Sequence, residues 1–266
     1  MIAILRSFSR HRQLILGMVK REIQVKYKES FIGLGWAFFT PLFMLGVYTF
    51  VFSEVFKSRW NNVVPTNKAD FAIMLFAGLM VYTFFAECLL RGPQIIVSNA
   101  NYVKKIVFPL EILPFVAIGV SLFQLFISSI VLLLAQLFFK EVLPYTAILF
   151  PIVLIPLLLS TAGILWLLAA AGVYLRDIGQ LIGVLTSVLM FLSPIFYPVS
   201  ALPEQFQPWL RLNPLTNIIE QARAVLVDGK LFDVADYGVS IVASIVIFWI
   251  GYSVFQKARK GFADVL

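Results

Sequence analysis

Long uncharged stretches alternate with short charged ones along the whole chain. A helix that crosses a bilayer needs about 20 mostly apolar residues. Six stretches meet or approach that length: Leu34–Ser53, Phe71–Ala86 (with Cys88, Leu89 and Leu90 beyond Glu87), Ile112–Phe139, Val142–Leu175, Ile178–Pro203 and Tyr237–Gln256. Val142–Leu175, at 34 residues, is too short for two crossings and a turn, so it counts once, tilted or starting in the interface. The pattern predicts an all-α integral membrane protein with six transmembrane helices. Residues 1–33 precede the first span, residues 34–256 hold the six, and residues 257–266 form a tail.

The segments between spans differ in kind. About residues 10–30, Leu16, Val19, Ile23 and Tyr27 share a helical face, with Arg21 and Lys28 opposite. Basic and apolar residues mixed in this way predict a helix lying along the membrane surface; docking on a partner is the competing reading, and both can hold. Residues 91–108 form a loop with Pro93 near one end and Pro109 just past the other, with room for a short helix. The stretches 140–146 and 174–180 are tight turns. The 200–236 segment is rich in apolar residues, among them Phe206, Trp209, Leu210, Ile218 and Val225. It predicts two short helices broken at Asn213-Pro214, lying in the interface or dipping inward. Ser193-Pro194 and Tyr197-Pro198 should break the fifth span near its end.

Composition agrees with this layout. Hydrophobic residues make up 61% of the chain and charged residues 13%, against about 25% charged in a soluble domain. Both a water-soluble single core and a disordered chain, which needs low hydrophobicity and high net charge, are excluded. The N-terminus does not read as a signal peptide, because no apolar core follows its basic residues. Basic residues set orientation. Fourteen of the 21 Lys and Arg fall on the side of the termini, with six of the 14 acidic residues, giving +8 there and −1 on the other side. Both termini are therefore predicted in the cytoplasm. The net charge of +7, which in a soluble chain would hint at nucleic acid, reads here as a basic inner face, and no nucleic-acid partner is expected.

The chemistry that is missing narrows function further. No G-x-x-x-x-G-K-[ST] phosphate loop occurs, since Gly229-Lys230 has Ala224 where the first glycine belongs. Neither H-E-x-x-H nor G-x-S-x-G is present. One histidine (His11) and one cysteine (Cys88) leave no imidazole pair, internal disulfide or multi-cysteine metal site. An enzyme is not expected, nor a metal. Ion-coupled transport would want ionisable groups within the spans, and Glu87 and Glu111 both lie near inner ends. Arg91, one turn beyond Glu87, is placed to pair with it. The chain is either passive or driven by a partner, which the 91–108 loop could contact.

Several motifs resemble the membrane subunit of polysaccharide ABC exporters, which move lipid-linked O-antigen, capsule polymer or teichoic acid across the bacterial cytoplasmic (inner) membrane. They are Lys26–Trp36 (KYKESFIGLGW) followed by Pro41-Leu42; Asn101–Pro109 (NYVKKIVFP) with Glu111 and Pro114; Arg176-Asp177-Ile178; Ser193–Pro198 (SPIFYP); Asn213-Pro214-Leu215; and Gly261–Asp264 (GFAD) in the tail. They follow one another in order along almost the whole chain. Tyr82 departs from the tryptophan often found there in the family.

The resemblance implies two copies of this chain working with two cytoplasmic ABC ATPase subunits. ATP and magnesium would bind the partner, with no cofactor in this chain. It makes the N-terminal segment an interface helix and the 91–108 loop the ATPase-coupling element, with Asn99, Asn101, Tyr102, Val103, Lys104 and Lys105 as contacts. A long sugar polymer has to thread a continuous path, and two copies can wall one where a single six-helix unit has little room. Aromatic rings stack on sugar C–H faces without a fixed charge to trap a moving chain, and binding weak enough to permit leaving suits conduction. Candidate lining residues are Trp36, Phe39, Phe43, Tyr48, Tyr82, Phe85, Phe191 and Phe196. Arg21, Lys26, Lys28 and Arg176 are candidate contacts for an undecaprenyl-diphosphate-type carrier, and anionic lipid would attract the same residues. Ser193, Pro194, Tyr197, Pro198, Trp209, Asn213 and Pro214 are the candidate outer gate. A drug or small-lipid exporter permease, and a scaffold for membrane glycan synthesis, are the alternative readings.

Overall fold

The computed structural model describes residues 2–28, 30–55, 69–104, 108–175, 177–211 and 213–266, without the side chains of residues 2–9 and 53–55. Regular structure among the described residues is entirely helical. Helix α1 (Ile2–Lys28) leads to α2 (Gly35–Thr49), which runs on into a π-helical turn at Phe50–Val55. Next come α3 (Asp70–Arg91), the single-turn helices α4 (Gln94–Val97) and α5 (Ala100–Val103), α6 (Leu113–Lys140) and α7 (Phe150–Tyr174). Then follow α8 (Ile178–Phe191), α9 (Gln207–Arg211), α10 (Pro214–Leu226), α11 (Val234–Ala258) and α12 (Phe262–Val265).

Five segments among the described residues are long and apolar enough to cross a bilayer: Gly35–Phe52, Asp70–Arg91, Leu110–Lys140, Tyr145–Tyr174 and Val234–Val265. The expected span at 178–203 is different. Its helix, α8, has 14 residues, about 21 Å of rise against a hydrocarbon core of about 30 Å. Beyond Phe191 the chain runs irregularly to a 3-10 turn at Val199–Ala201. Pro194 and Pro198 lack the N–H groups a continuing helix would use. Ser193 Oγ turns back to donate to the Leu189 carbonyl at 2.7 Å.

Paired side chains mark the two ends of the bundle. At one end, Arg259 beyond α11 pairs with Glu111 before α6 at 2.8 Å, and Tyr174 of α7 donates to the Ala258 carbonyl at 2.9 Å. Helix α1 lies at this end, which we call the basic face. At the other end Lys140 of α6 pairs with Asp70 of α3 at 3.1 Å. There Asn213 and Asp233 cap α10 and α11 through their side-chain oxygens, the residue type that satisfies the first free N–H groups of a helix.

Helix α1 docks through most of the expected face, with Val19, Ile23 and Tyr27 half-buried, but the stripe turns toward Ile15 rather than Leu16 at its start. Ile15 is buried with Ile112 and Val116, whereas Leu16 is 67% exposed. Gly119 of α6 makes the contact possible, since a Cβ there would sit 2.6 Å from Val19 Cγ2. The real stripe runs through Ile15, Met18, Val19 and Glu22, and its polar members find partners on α3.

Two prolines inside spanning helices leave carbonyls without their helical donors, and side chains from other helices replace them. Pro41 of α2 leaves the Ala37 carbonyl, which accepts from Gln124 Nε2 of α6 at 3.0 Å; Gln124 Oε1 in turn accepts from Tyr27 Oη of α1 at 2.9 Å. Pro156 of α7 leaves the Ile152 carbonyl, which accepts from Tyr237 Oη at 3.0 Å. Restoring such bonds is what makes proline tolerable in lipid.

The core centres on Trp166 of α7, fully buried, with Phe115, Phe248 and Tyr252 edge-on at 5.0–5.4 Å. Below it α7 and α11 touch backbone to backbone at Gly163 and Gly251, where a Cβ on either glycine would overlap main-chain atoms of the other helix. Small residues allow this approach in membranes. Substituting Gly251→Leu should force α11 away from α7 at the upper end of the roughly 1–3 kcal/mol typical of overpacking. The check is a lowered midpoint of thermal unfolding in detergent, with Val239→Leu on the exposed face of α11 as the neutral comparison.

Candidate functional site

On the basic face, α1, the end of α3 and the α4–α5 segment enclose a cleft of about 520 Å³, with Arg21, Glu22, Lys26, Glu87, Arg91, Asn99 and Tyr102 in its walls. Its charges are crossed between helices. Lys26 Nζ lies 2.8 Å from Glu87 Oε1, and Arg91 binds Glu22. The expected Glu87–Arg91 pair is therefore not made, because α1 lies against this end of α3 and supplies each residue with a nearer partner. Burial pushes the Tyr27 phenol up, Lys26 opposing and Glu87 adding to the effect. With Glu111 bound to Arg259, both carboxylates examined as ion-coupling groups are engaged in ion pairs at the bundle end.

The α4–α5 segment is two single turns rather than one short helix. Ile95 and Ile96 are buried and anchor the first turn, while Asn101 and Lys104 are exposed on the second. Gly172 of α7 sits so close to the Pro93 carbonyl that a Cβ would collide with it. Asn99 donates to the Ile95 carbonyl at 2.9 Å, and Tyr102 stacks on Phe108 with centroids 4.3 Å apart. Val103 is half-buried, and Lys105 lies outside the described residues. The segment is thus anchored to the bundle through its first turn and presents exposed polar side chains on its second.

The candidate lining aromatics divide into two groups. Trp36, Phe39 and Phe43 are exposed along α2, Phe43 at 71%. Phe191 is exposed at the end of α8 and stacks at 5.9 Å on the half-buried Phe196; Tyr48 is half-buried. Tyr82 and Phe85, by contrast, are buried at 7% and 3%. Tyr82 Oη donates to the Thr186 carbonyl at 2.5 Å, which fastens α3 to α8. In this conformation these two rings are core, not surface, because they lie on the covered faces of α3, whose open stripe runs through Leu79, Thr83, Glu87 and Leu90. Of the candidate diphosphate contacts, Arg21, Lys26 and Lys28 are exposed on α1, and Arg176 lies outside the described residues.

At the opposite end the break after α8 is held from two directions. Asn213 Nδ2 donates to the Leu192 carbonyl and to Ser193 Oγ, both at 3.0 Å. Ser193 and Pro194 are buried, Tyr197 donates to the Phe191 carbonyl at 2.8 Å, and Pro198 is half-buried. Trp209 projects from α9 at 73% exposure, and Pro214 is exposed at the start of α10. Helix α10 itself is packed into the bundle through Leu215, Ile218, Ile219, Ala222, Val225 and Leu226.

Sequence reasoning missed one residue here. Arg223, one of the basic residues assigned to the side away from the termini, is 4% exposed. Its Nε donates to the Met74 carbonyl at 2.9 Å, one terminal nitrogen to the Ile195 carbonyl at 2.7 Å, and the other to the Pro194 carbonyl. A signal was present: Leu215, Ile219, Ala222 and Leu226 form one helical stripe, and Arg223, four residues after Ile219, falls on it. Burial lowers its pKa, with Glu220 and Asp228 opposing. Burial raises both of those carboxyls, Arg211 opposing for Glu220 and Lys230 for Asp228.

The sequence profile of one family, described as ABC-2 type transporter, matches residues 13–227, from within α1 to the end of α10. The chain is a member of the ABC-2 type transporter family. Individual relatives extend the match nearly end to end. The O-antigen export system permease protein RfbA of Myxococcus xanthus is 26% identical over 266 residues, covering 99% of each chain. RfbA of Klebsiella pneumoniae is 24% identical over 95% of each chain. The polysialic acid transport protein KpsM of Escherichia coli is 20% identical over 90% of this chain and 91% of its own.

In this ABC-2 chain the feature most exposed to test is the clamp between α1 and α3. Glu22 and Arg91 are each about one-third exposed, so their pair is worth at most about 1 kcal/mol. Glu22→Arg should raise hydrogen exchange of the α1 amides roughly fivefold, the equivalent of that energy. Glu22→Arg combined with Arg91→Glu should restore protection, since the pair is re-formed with its signs exchanged.

Proposed function

We propose that the chain is the permease subunit of an ATP-driven exporter that carries lipid-linked polysaccharide, of the undecaprenyl-diphosphate type, across the bacterial cytoplasmic membrane. The observation that carries this reading is the end-to-end similarity to permeases named for O-antigen export, in a chain with no nucleotide-binding motif. ATP is hydrolysed by a separate subunit, present in two copies beneath two copies of this chain. The excess of basic residues assigns the α1 end to the cytoplasm. Helix α8 then makes the sixth crossing with the help of the irregular segment beyond it, because α7 ends on the basic face and α11 starts on the other.

Each part of the basic face has a role in this scheme. The α4–α5 tip, with Asn101 and Lys104 exposed, meets the ATPase, and its anchoring through Ile95, Ile96 and Pro93 transmits a push to α3 and α7. Arg21 and Lys28, exposed on α1, attract the carrier diphosphate, since phosphate suits basic side chains at short range. Exposed Trp36, Phe39, Phe43 and Phe191 give the polymer weak, repeated stacking surfaces between the two copies. The Ser193–Pro198 break closes the outer end of the path.

The reading has a direct test. The purified chain should show no ATPase activity alone and should support activity when reconstituted with its cognate subunit. Lys104→Glu with Lys105→Glu should lower co-purification of that subunit and polymer export together. Wild-type binding and export in the double variant would remove the coupling role from this segment.

A further inference from the structure

We propose that Arg223 is the positioning residue that holds the Ser193–Tyr197 break closed, and that the outer end of the path opens when its guanidinium releases the Pro194 and Ile195 carbonyls. This rests on the reading of the break as the outer closure. The helix that carries the arginine is fixed. At the end of α10, Gln136 donates to the Leu226 carbonyl at 2.8 Å and Thr146 to the Val225 carbonyl at 2.7 Å, and its apolar face is buried. What Arg223 holds is bonded at its start, where Asn213 and Tyr197 reach the Leu192 and Phe191 carbonyls, and the Ile195 side chain is buried, but the backbone after Ser193 is not helical. Residues 194 and 195 belong to no helix, so their carbonyls have no intrahelical donors.

Two features suit the arginine to this task. Its donors point in several directions from one rigid plane, so one side chain bonds two successive carbonyls of the break and a third on α3; an ammonium is a single point and does not reproduce that fork. Gly78 of α3 supplies the room: a Cβ there would sit 3.1 Å from the guanidinium carbon and closer still to a terminal nitrogen. A charge buried on a largely apolar helix face is costly to place, and apolar contact alone would hold the break without it. The surroundings also give the cation somewhere to go. A cavity of about 270 Å³ beside it is lined by Glu220, Asp228 and Arg211, and by Pro198 and Val199 beyond the break. A guanidinium leaving the carbonyls meets two carboxyl groups, Glu220, which it shares with Arg211, and Asp228, so the open arrangement offers its charge a counter-charge.

The test uses the full complex with its ATPase in membrane vesicles and a membrane-impermeant maleimide. Phe196→Cys reports the break and Glu204→Cys, exposed beyond it, is the control; native Cys88 is buried and silent. In the otherwise wild-type background, labelling at position 196 should rise during turnover. Arg223→Lys should raise it about fivefold or more without ATP, the effect of losing one or two kcal/mol of closure, and leave position 204 unchanged. Gly78→Ala, which keeps the arginine but crowds it, should do the same and carries the test if Arg223→Lys does not accumulate. If position 196 responds to turnover but both variants label like the parent, the role given to Arg223 is wrong. Should position 196 not respond to turnover even with Asn213→Ala, the break is not the outer closure, and the proposal falls with that reading.

Discussion

A carbonyl that faces hydrocarbon without a donor costs on the order of several kcal/mol, and this fold is arranged around avoiding that cost. Proline at position 41 or 156 removes a donor inside a spanning helix, and in each case a side chain from a different helix fills the gap. These replacements do more than repair. Gln124 connects α2, α6 and α1 in one chain of bonds, and Tyr237 fixes the start of α11 against α7. Arg223 extends the same logic to a stretch of backbone that is not helical at all.

Charge obeys the same constraint. The described ion pairs stand at the ends of the bundle, three on the basic face and one on the other. On the basic face they join elements distant in sequence: α1 to α3, and the tail after α11 to the turn before α6. Helix α1 and the α4–α5 segment are thus joined to the long helices by ion pairs and by the buried Ile95 and Ile96. Among the described residues Arg223 is a cation buried within the fold, and it donates to the main-chain carbonyls of Met74, Pro194 and Ile195.

How far the sequence could be read follows from these facts. The spans at 34–53, 71–90, 112–139, 142–175 and 237–256 all correspond to long helices, because uninterrupted apolar sequence in lipid has to be helical. The fifth expected span, 178–203, is helical only to Phe191 and breaks where Ser193-Pro194 and Tyr197-Pro198 were expected to break it. On α1 the expected stripe holds at Val19, Ile23 and Tyr27 and fails at Leu16, whose place is taken by Ile15. Its amphipathicity is shallow, and the decisive contact, Val19 over Gly119, lies on another helix.

By itself the sequence determined the class of fold, the places where the chain turns, the excess of basic charge at one end and the family. Each depends on composition or on short contiguous motifs. Tertiary structure alone decided the partners: Glu22 with Arg91, 69 residues apart, and Arg259 with Glu111, 148 apart. It also decided that Tyr82 and Phe85 are core while Trp36 and Phe39 are surface. A helix apolar on all sides has no polar face to reveal its rotation. Which face is covered is then set by neighbouring helices, through glycine contacts and rescued carbonyls that join residues far apart along the chain.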